Sequence, residues 1–228
     1  MPTAPQSWLP SVRSQPSCGV LINFELRARG EPPNMVAAYR GLHLQNSGLP
    51  FSEFGWKNRN SPNGQVPVLR LPDGQMMAET LDICKYLAQL PSPAGDSVPL
   101  LCNELQCEVF KIANTAPIIW DKAVPGGTSP ENSAWLVNMI PWAEAEPCLP
   151  RYKDRIMPIL RDFEARLAAS GGPFFSTAMP GIGDFCLFAY TDLIVTLMPD
   201  ILEAVGPCMQ TWFKACASLP GIAEYMAA

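Results

Sequence analysis

The chain has 228 residues, of which 48% are hydrophobic and 16% charged, and this suits one compact protein or two small domains that pack together. Sixteen basic residues against twenty-one acidic ones give a net charge of −5 without any run of Lys or Arg, so a nucleic-acid partner is not expected. No apolar run approaches the roughly 20 residues that span a bilayer, and residues 1–17 lack the apolar core of a secretion signal. We therefore expect a cytoplasmic protein with no membrane partner.

Eight cysteines are present, yet none is spaced as C-x-x-C and most lie in apolar segments, so we interpret them as reduced core thiols. A metal site would need clustered ligands, and the chain offers one histidine, His43, and one C-x4-C pair, Cys102 and Cys107. We predict no metal. The single histidine also leaves Ser-His-Asp and Cys-His catalysis without a base unless His43 itself serves.

Strand and helix signals alternate after a Pro-, Ser- and Gln-rich start. Residues 19–24 form a short apolar run, which is typical of a buried strand. Glu31-Pro32-Pro33 can open a helix, because proline is tolerated in the first turn, and Gly41 ends it. Residues 43–47 indicate a weak second strand, and residues 49–63 are predicted to be a loop.

Two short strands joined by a tight turn come next. Residues 66–71 and 76–78 flank a Pro-Asp-Gly-Gln sequence, whose first three residues favour turn dihedrals. Residues 79–90 place apolar side chains close to the 3.6-residue period of a helix, and the Pro-rich residues 91–98 end it as a linker. The first part of the chain is therefore predicted as βαβ followed by ββα.

From residue 99 onward helical patterns dominate. The clearest amphipathic helix has its apolar residues on one face, opposite its charges, and ends at Gly171-Gly172. Residues 184–198 are nearly all apolar, so we expect a central buried helix there. The predicted helices cover residues 100–120, 134–146, 151–169, 184–198 and 209–219, and the last of these is predicted to be the final helix.

Four stretches carry a family resemblance: F-E-L-R-A-R-G-E at residues 24–31, G-Q-V-P-V-L at residues 64–69, A-E-T at residues 78–80, and residues 171–185 together with residues 219–225. Each is weak alone, but the combination and its order are specific. The chain resembles the cytosolic glutathione transferases, nearest to the sigma-like, tyrosine-type classes, over residues 19–226.

The resemblance implies an α/β plus all-α protein, in which a thioredoxin-like N-terminal domain precedes an all-helical C-terminal domain, the glutathione transferase fold. It implies a flexible N-terminal extension at residues 1–18, a glutathione-binding domain at residues 19–90, a linker at residues 91–98 and a substrate domain at residues 99–228. Members of the family pair as two-fold dimers, so a homodimer is implied as well.

The V-P element is expected to bind the peptide backbone of glutathione. In the family this proline is cis, which turns the backbone of the preceding residue outward like an open strand edge. Val66 would then pair with the cysteine of glutathione beside Pro67, and Gln65 would add an amide contact. The alternative is an ordinary proline at an edge strand.

Glu79 and Thr80 stand where a helix begins. The Thr80 hydroxyl and the positive helix end can take a carboxylate, and Glu79 can take the ammonium group beside it, so the two would hold the γ-glutamyl end of glutathione. Plain helix capping by Thr80 is the alternative. Trp56 and Lys57 lie near the place where the family supplies a Trp and a Lys that bind the glycine carboxylate of glutathione. The alternative is that Lys57 is an ordinary solvated lysine.

The residue expected at the thiol differs from the family pattern. In the tyrosine-type classes a Tyr precedes the aromatic residue at Phe24, and its hydroxyl stabilises the glutathione thiolate, whereas this chain has Asn23. The Asn23 amide could donate to a thiolate, aided by the N-terminal end of the first helix, but it is shorter, and it could instead cap the strand end. Arg27 is assigned structural support or a place in the lining of the site.

Asp184 is predicted to be a buried structural carboxylate that accepts backbone N–H groups at a helix start. The family normally has Ser or Thr three residues earlier, where this chain has Gly181. The missing hydroxyl predicts a loss of about 0.5–2 kcal/mol of stability, or less if Gly181 itself caps the helix.

Two functions remain open from the sequence. The first is an enzyme that binds glutathione as a cosubstrate and presents its thiol or thiolate to an apolar electrophile or a peroxide in the cleft between the two units. It would be a transferase with a role in detoxification, working by glutathione conjugation, isomerase or peroxidase chemistry. The second is a glutathione-transferase-like binding or assembly subunit without turnover, and Asn23 is the feature that favours it.

Overall fold

A computed structural model of the protein describes residues 17–24, 28–50, 53, 55–93, 99–116 and 146–228. Its first unit is built on a four-stranded sheet with the strand order β2-β1-β3-β4. The sheet is mixed, because β1 runs parallel to β2 and antiparallel to β3, and β3 and β4 form a hairpin. The strands are β1 (Gly19–Phe24), β2 (Leu44–Leu49), β3 (Val68–Arg70) and β4 (Met76–Met77).

The helices of this unit are α1 (Glu31–Arg40), α2 (Trp56–Asn60) and α3 (Thr80–Gln89). The first strand and first helix are confirmed at their predicted starts, and Gly41 ends α1 with a left-handed φ of 65°. The prediction of a loop over residues 49–63 is wrong, since α2 lies within it. A helix of five residues is too short to show a hydrophobic period, which is why the pattern missed it.

The second unit is helical in its described residues, 99–116 and 146–228, and the helices there are α4 (Glu104–Ala113), α5 (Leu149–Ser170), α6 (Ile182–Leu197), α7 (Ile201–Val205), α8 (Pro207–Ala217) and α9 (Ile222–Ala227). The helix predicted over residues 134–146 lies outside the described residues. The prediction that the helix near residues 209–219 is the last one is wrong, because α9 follows it. Among the described helices, none has both the length and the apolar composition needed to cross a membrane.

The core joins the two units. Helix α6 is buried along most of its length and packs against α4 and α1, while α1 packs against α3. The rings of Tyr39 on α1 and Phe185 on α6 meet edge-to-face, with their centroids 5.2 Å apart. The first unit is thereby held against the second through its α1 and α3 face. The thioredoxin-like unit followed by a helical unit, predicted from the sequence, is confirmed.

The start of α6 is capped by a side chain from another helix. The Gln106 Oε1 atom on α4 accepts hydrogen bonds from the backbone N–H groups of Gly183 (2.9 Å) and Asp184 (3.2 Å). These are N–H groups that an N-cap hydroxyl would otherwise serve. The predicted loss of stability from the missing hydroxyl at Gly181 is therefore offset, because Gln106 supplies the acceptor.

The Asp184 carboxylate is fully buried and has four hydrogen-bond donors, as predicted for a structural residue. Its Oδ2 atom accepts from Gly181 N and from Gln106 Nε2, both at 2.9 Å, and its Oδ1 atom accepts from Trp212 Nε1 at 2.9 Å and Phe175 N at 3.3 Å. Burial raises the pKa of Asp184 from 3.8 to about 6, and the four hydrogen bonds oppose that rise.

This raised pKa predicts a pH dependence of stability. Because the folded protein holds the Asp184 proton more tightly than the unfolded chain, the stabilisation is complete below the ordinary value of 3.8 and is lost as pH rises through about 6. The loss amounts to about 3 kcal/mol in the free energy of unfolding. Urea unfolding across that pH range, for the parent and for Asp184→Asn, isolates it as the difference between the two curves.

As pH rises across this range, the free energy of unfolding of the parent is expected to fall by about 3 kcal/mol relative to that of Asp184→Asn. Only the parent acquires a buried charge at residue 184. If Asp184→Asn does not fold, the carboxyl carbon of Asp184 can be titrated directly by NMR in the parent. A midpoint at or below 3.8 would contradict the prediction, as would parallel stability curves.

Candidate functional site

Three of the predicted site residues come together at one end of the sheet. The last rung between β1 and β3 pairs Ile22 with Val68, so Asn23 and Pro67 lie one step beyond it on neighbouring strands. On β4, Met77 pairs with Leu69, which places Glu79 level with Pro67. We call Asn23, Pro67 and Glu79 the sheet-end row.

The backbone of Val66 is open beside this row. The Val66–Pro67 peptide bond is cis, as the resemblance implies. Val66 is half-buried, and neither its N–H nor its C=O is hydrogen-bonded to any other residue in the described ranges. A strand-like peptide could therefore pair with it without breaking an existing bond.

Asn63 connects the loop before Pro67 to the start of α3. Its Nδ2 donates to Glu79 Oε1 at 2.7 Å, and its Oδ1 accepts from the backbone N–H of Gln65 at 3.0 Å and from the hydroxyl of Ser61 at 2.8 Å. Sequence reasoning missed this residue. The Ser-Pro-Asn-Gly run around it signals a turn, but nothing in the sequence links that turn to Glu79.

Glu79 has an unusual backbone conformation for a residue with a side chain. Its φ is 70° and its ψ is 113°, and its carboxylate is exposed. Such a conformation costs about 1–3 kcal/mol and persists where the surroundings impose it, often at functional positions. The conformation places an exposed carboxylate at the end of the sheet-end row, held by Asn63.

Thr80 does not cap α3, so the predicted alternative of helix capping is wrong. Glu79 is the N-cap residue, Thr80 is the first helical residue, and no side chain caps this end among the described residues. The Thr80 hydroxyl makes no hydrogen bond to another described residue, although the residue is 6% exposed. The first N–H groups of α3 and this hydroxyl thus lie together at a positive helix end.

Trp56 and Lys57 begin helix α2, which leads directly into the loop that holds Asn63. Both side chains are half-buried, and burial lowers the pKa of Lys57. Gln65 is exposed next to Val66. Arg27 lies outside the described residues, so its predicted supporting role stays a prediction.

Asn23 faces the first turn of α1. A Cβ atom on Gly30, the N-cap residue of α1, would lie 2.6 Å from Asn23 Nδ2, so the amide sits directly against this helix end. That end has no N–H to offer from residues 31–34. The Glu31 N–H donates to Ala28 O, the Asn34 N–H donates to Gly30 O, and the two residues between them are prolines.

The expectation that the N-terminal end of α1 helps to hold a thiolate therefore fails as far as its N–H groups are concerned. The Glu31 carboxylate, which is only 6% exposed, also lies at this end and accepts a hydrogen bond from the hydroxyl of Tyr225 on α9 at 2.9 Å. In the described part of the chain, no group of three or more His, Cys, Asp or Glu is positioned to hold a metal ion.

Comparison with known families accounts for both units. Residues 30–90 match the family model "Glutathione S-transferase, N-terminal domain", and residues 146–228 match "Glutathione S-transferase, C-terminal domain". The two matches together cover more than half of the chain. The chain belongs to the glutathione S-transferase family.

Relatives in this family are distant. The chain is 34% identical over 77 residues to "Probable glutathione S-transferase 6" of Caenorhabditis elegans, a match that covers 34% of this chain and 37% of that protein. It is 23% identical over 223 residues to "Probable glutathione S-transferase 9" of the same organism, covering 90% of this chain and 94% of that one. The stronger of these two similarities thus spans little more than a third of the relative.

Solved structures share the fold. The prostaglandin synthase D of Nilaparvata lugens is 16% identical, with a TM-score of 0.66 over 93% of this chain and 98% of that chain. The glutathione S-transferase from Ascaris lumbricoides is 19% identical, with a TM-score of 0.64 over 93% of this chain and 97% of that one. At these identities the likeness establishes the glutathione S-transferase fold and no particular substrate.

Proposed function

We propose that this chain binds glutathione at the sheet-end row and presents its thiol to an apolar electrophile or a peroxide in the cleft between the two units. The observation that carries the proposal is the open backbone of Val66, which lies beside the row at the point where Glu79 and the uncapped start of α3 also lie. A γ-glutamyl peptide has a backbone and two charged groups that suit these three features.

The γ-glutamyl end of glutathione would occupy the start of α3. Its carboxylate would accept hydrogen bonds from the Thr80 hydroxyl and the first N–H groups of the helix, where the helix dipole favours negative charge. Its ammonium group would meet the Glu79 carboxylate. Gln65 would contact the peptide from the adjoining loop, and Trp56 or Lys57 would serve the glycine carboxylate.

The cysteine of glutathione would pair with Val66, which directs its thiol along the row toward Asn23. The Asn23 amide can donate a hydrogen bond to a thiolate, directly or through a water molecule. Pairing of two such chains as a two-fold dimer is part of the same proposal, and it is supported by the family alone.

A second function, binding without turnover, is favoured by the surroundings of Asn23. The first turn of α1 offers no N–H group from residues 31–34, so a bound thiolate would find no backbone donor there. A thiolate without such donors is not stabilised over the neutral thiol, and the thiol pKa is not lowered. In this case the protein would hold glutathione in its neutral thiol form.

Calorimetric titration with glutathione tests the shared step, and an aryl-halide conjugation assay and a peroxidase assay separate the two functions. The Asn23→Tyr variant provides the comparison, since a cavity beside Asn23 has room for a ring. We expect the parent to bind glutathione and to turn over above background, and Asn23→Tyr to raise conjugation on the order of 10- to 100-fold. The parent's conjugation and peroxidase rates are compared with those of the same reaction mixture without protein.

Each result decides one part of the proposal. Binding with no turnover in the parent would replace the enzymatic function with the binding function. No heat of binding at any accessible glutathione concentration, in a protein shown to be folded by circular dichroism, would overturn both.

A further inference from the structure

The exposed carboxamide of Asn63 is held at both its oxygen and its nitrogen. Its Oδ1 atom accepts from the hydroxyl of Ser61 at 2.8 Å and from the backbone N–H of Gln65 at 3.0 Å, and its Nδ2 donates to Glu79 Oε1 at 2.7 Å. The residue that follows is Gly64, which has a φ of 70°, and this is the one Asn-Gly pair of the sequence. These contacts surround a side chain that can itself react.

An asparagine followed by glycine can lose its amide group without an enzyme. The backbone nitrogen of the glycine gives its proton to water and attacks the side-chain carbonyl carbon, which turns the carbonyl oxygen into an oxyanion. The bond from this carbon to the amide nitrogen then breaks, that nitrogen takes a proton from water and leaves as ammonia, and a cyclic imide remains. Water opens the imide at either carbonyl group, giving aspartate or isoaspartate. Glycine permits the attack because it has no side chain in the way.

Two donors lie where the negative charge of this reaction develops. The oxyanion forms on Asn63 Oδ1, and the Ser61 hydroxyl and the Gln65 N–H already contact that atom at distances typical of oxyanion donors. Hydrogen bonds to a charged oxygen are stronger than those to a neutral one, so both donors stabilise the transition state more than the starting amide. The Glu79 carboxylate at Nδ2 repels the new charge only weakly, because water screens it in an exposed loop.

We infer that Asn63 is a site of spontaneous deamidation, promoted by the donors of Ser61 and Gln65. Conversion replaces the N–H that donates to Glu79 by a second carboxylate, so the link between the loop and α3 is lost. The isoaspartate product also lengthens the main chain by one carbon atom shortly before Val66. The modification itself needs no ligand, whereas its effect on glutathione binding rests on the proposed function.

Incubation of the full-length protein at neutral pH and body temperature, followed by peptide mapping with mass spectrometry, measures the conversion. Enzymatic methylation of isoaspartate identifies that product. A synthetic peptide with the sequence of residues 58–68 supplies the rate in the absence of the fold. We expect Asn63 to convert at least about threefold faster in the protein than in the peptide, which corresponds to a hydrogen bond of ordinary strength. Asn46, an exposed asparagine of β2 that is followed by serine, should convert more slowly than Asn63 in the same sample.

A variant of one donor tests the reason for the rate. Ser61→Ala removes the hydroxyl from Oδ1 but keeps the Asn-Gly pair, and it is expected to slow conversion about 3- to 10-fold. The same change in the synthetic peptide should have little effect, because the contact requires the folded loop. The matched control Ser218→Ala removes an exposed hydroxyl that donates to Lys214 O just after α8, and it should leave the rate at Asn63 unaltered.

Three results would overturn the inference: conversion at Asn63 that is no faster in the protein than in the peptide, equal rates in Ser61→Ala and the parent, and a rate that Ser218→Ala lowers as much as Ser61→Ala does.

Calorimetric titration of fresh and converted protein tests the consequence for glutathione. The affinity is expected to fall about 3- to 10-fold, because Glu79 loses the donor that holds it. Equal affinities would overturn the link to Glu79. If the fresh protein does not bind glutathione, the proposed function fails and this consequence fails with it, while the conversion rates test the modification independently.

Discussion

Replacing Gly181 by serine, the kind of residue that the family normally has there, is expected to lower the free energy of unfolding by about 3 to 5 kcal/mol. A Cβ atom at Gly181 would overlap the carboxamide carbon of Gln106, and both residues are buried. The serine would displace the Gln106 side chain, and the N–H groups of Gly183 and Asp184 would lose their acceptor.

A double-mutant cycle in urea checks this reason. Gln106→Ala alone is expected to cost about 2 to 4 kcal/mol, because it opens a cavity and leaves buried N–H groups unpaired. With Gln106 shortened, the hydroxyl at residue 181 has room to cap α6, so the double variant should be more stable than the sum of the two changes predicts, by at least about 2 kcal/mol.

Gly55→Ser is the matched control for this cycle. Gly55 is also an N-cap glycine with a negative φ, and a Cβ there would meet only the flexible end of Arg59, at 3.3 Å. Its substitution should change the free energy of unfolding by less than about 0.5 kcal/mol. Additive costs at residues 106 and 181, or a Gly181→Ser variant as stable as the parent, would contradict the capping role of Gln106.

Much of the fold could be predicted from the sequence because its signals are local. The apolar run of β1, the proline-led start of α1 and the regular period of α5 each report on neighbouring residues only. Short elements without such a period were missed, namely α2, α7 and α9. Tertiary contacts hold helices of five or six residues in place, and those contacts leave no pattern in the segment itself.

The caps of the second unit were not predictable for a different reason. Gln106 and Asp184 are 78 positions apart, and the start of α8 is likewise served from a distance, since the N–H groups of Cys208 and Met209 donate to Glu164 on α5 at 3.1 and 2.7 Å. A weak signal exists for the first case. Residues 106, 109, 110 and 113 form the buried stripe of α4, and a glutamine in such a stripe needs a buried partner.

The candidate site, too, was predictable where its signals are local and not where its contacts join distant residues. Residue types near Pro67 and Glu79 could be matched to family motifs, whereas the link between the loop and α3 through Asn63 depends on the folded backbone. The lack of available N–H groups in the first turn of α1 was partly predictable, since Pro32 and Pro33 are present in the sequence and have no N–H. That Ala28 and Gly30 accept the remaining two hydrogen bonds could be learned only from the structure.

Glu79→Ala is expected to weaken glutathione binding about 10- to 100-fold, because a hydrogen bond to a charged group contributes about 1.5–3 kcal/mol and here would be lost with the ammonium partner. Glu79→Gln keeps an oxygen for Asn63 Nδ2 but removes the charge, so its affinity for glutathione should be close to that of Glu79→Ala. Asn63→Ala keeps the charge but releases both Glu79 and the Gln65 N–H, so a loss of about 3- to 10-fold is expected. Calorimetric titration measures all three.

Glu79→Gly separates binding from stability at the same position. Glycine adopts the φ of 70° without the steric cost of about 1–3 kcal/mol, although it adds about 0.5–1 kcal/mol of chain entropy to the unfolded state. The variant should therefore unfold at an unchanged or higher urea concentration while it binds glutathione as poorly as Glu79→Ala. The matched control Glu203→Ala, which changes an exposed glutamate on α7, should alter neither property.

The combination of outcomes identifies what the Glu79 conformation is for. Lost affinity together with retained or increased stability in Glu79→Gly means that the backbone strain serves the ligand, since it points a carboxylate at the sheet-end row at the expense of the fold. If instead Glu79→Gly destabilises the protein and leaves glutathione affinity intact, the conformation is structural, and the ammonium group of the ligand has to be sought elsewhere along the row.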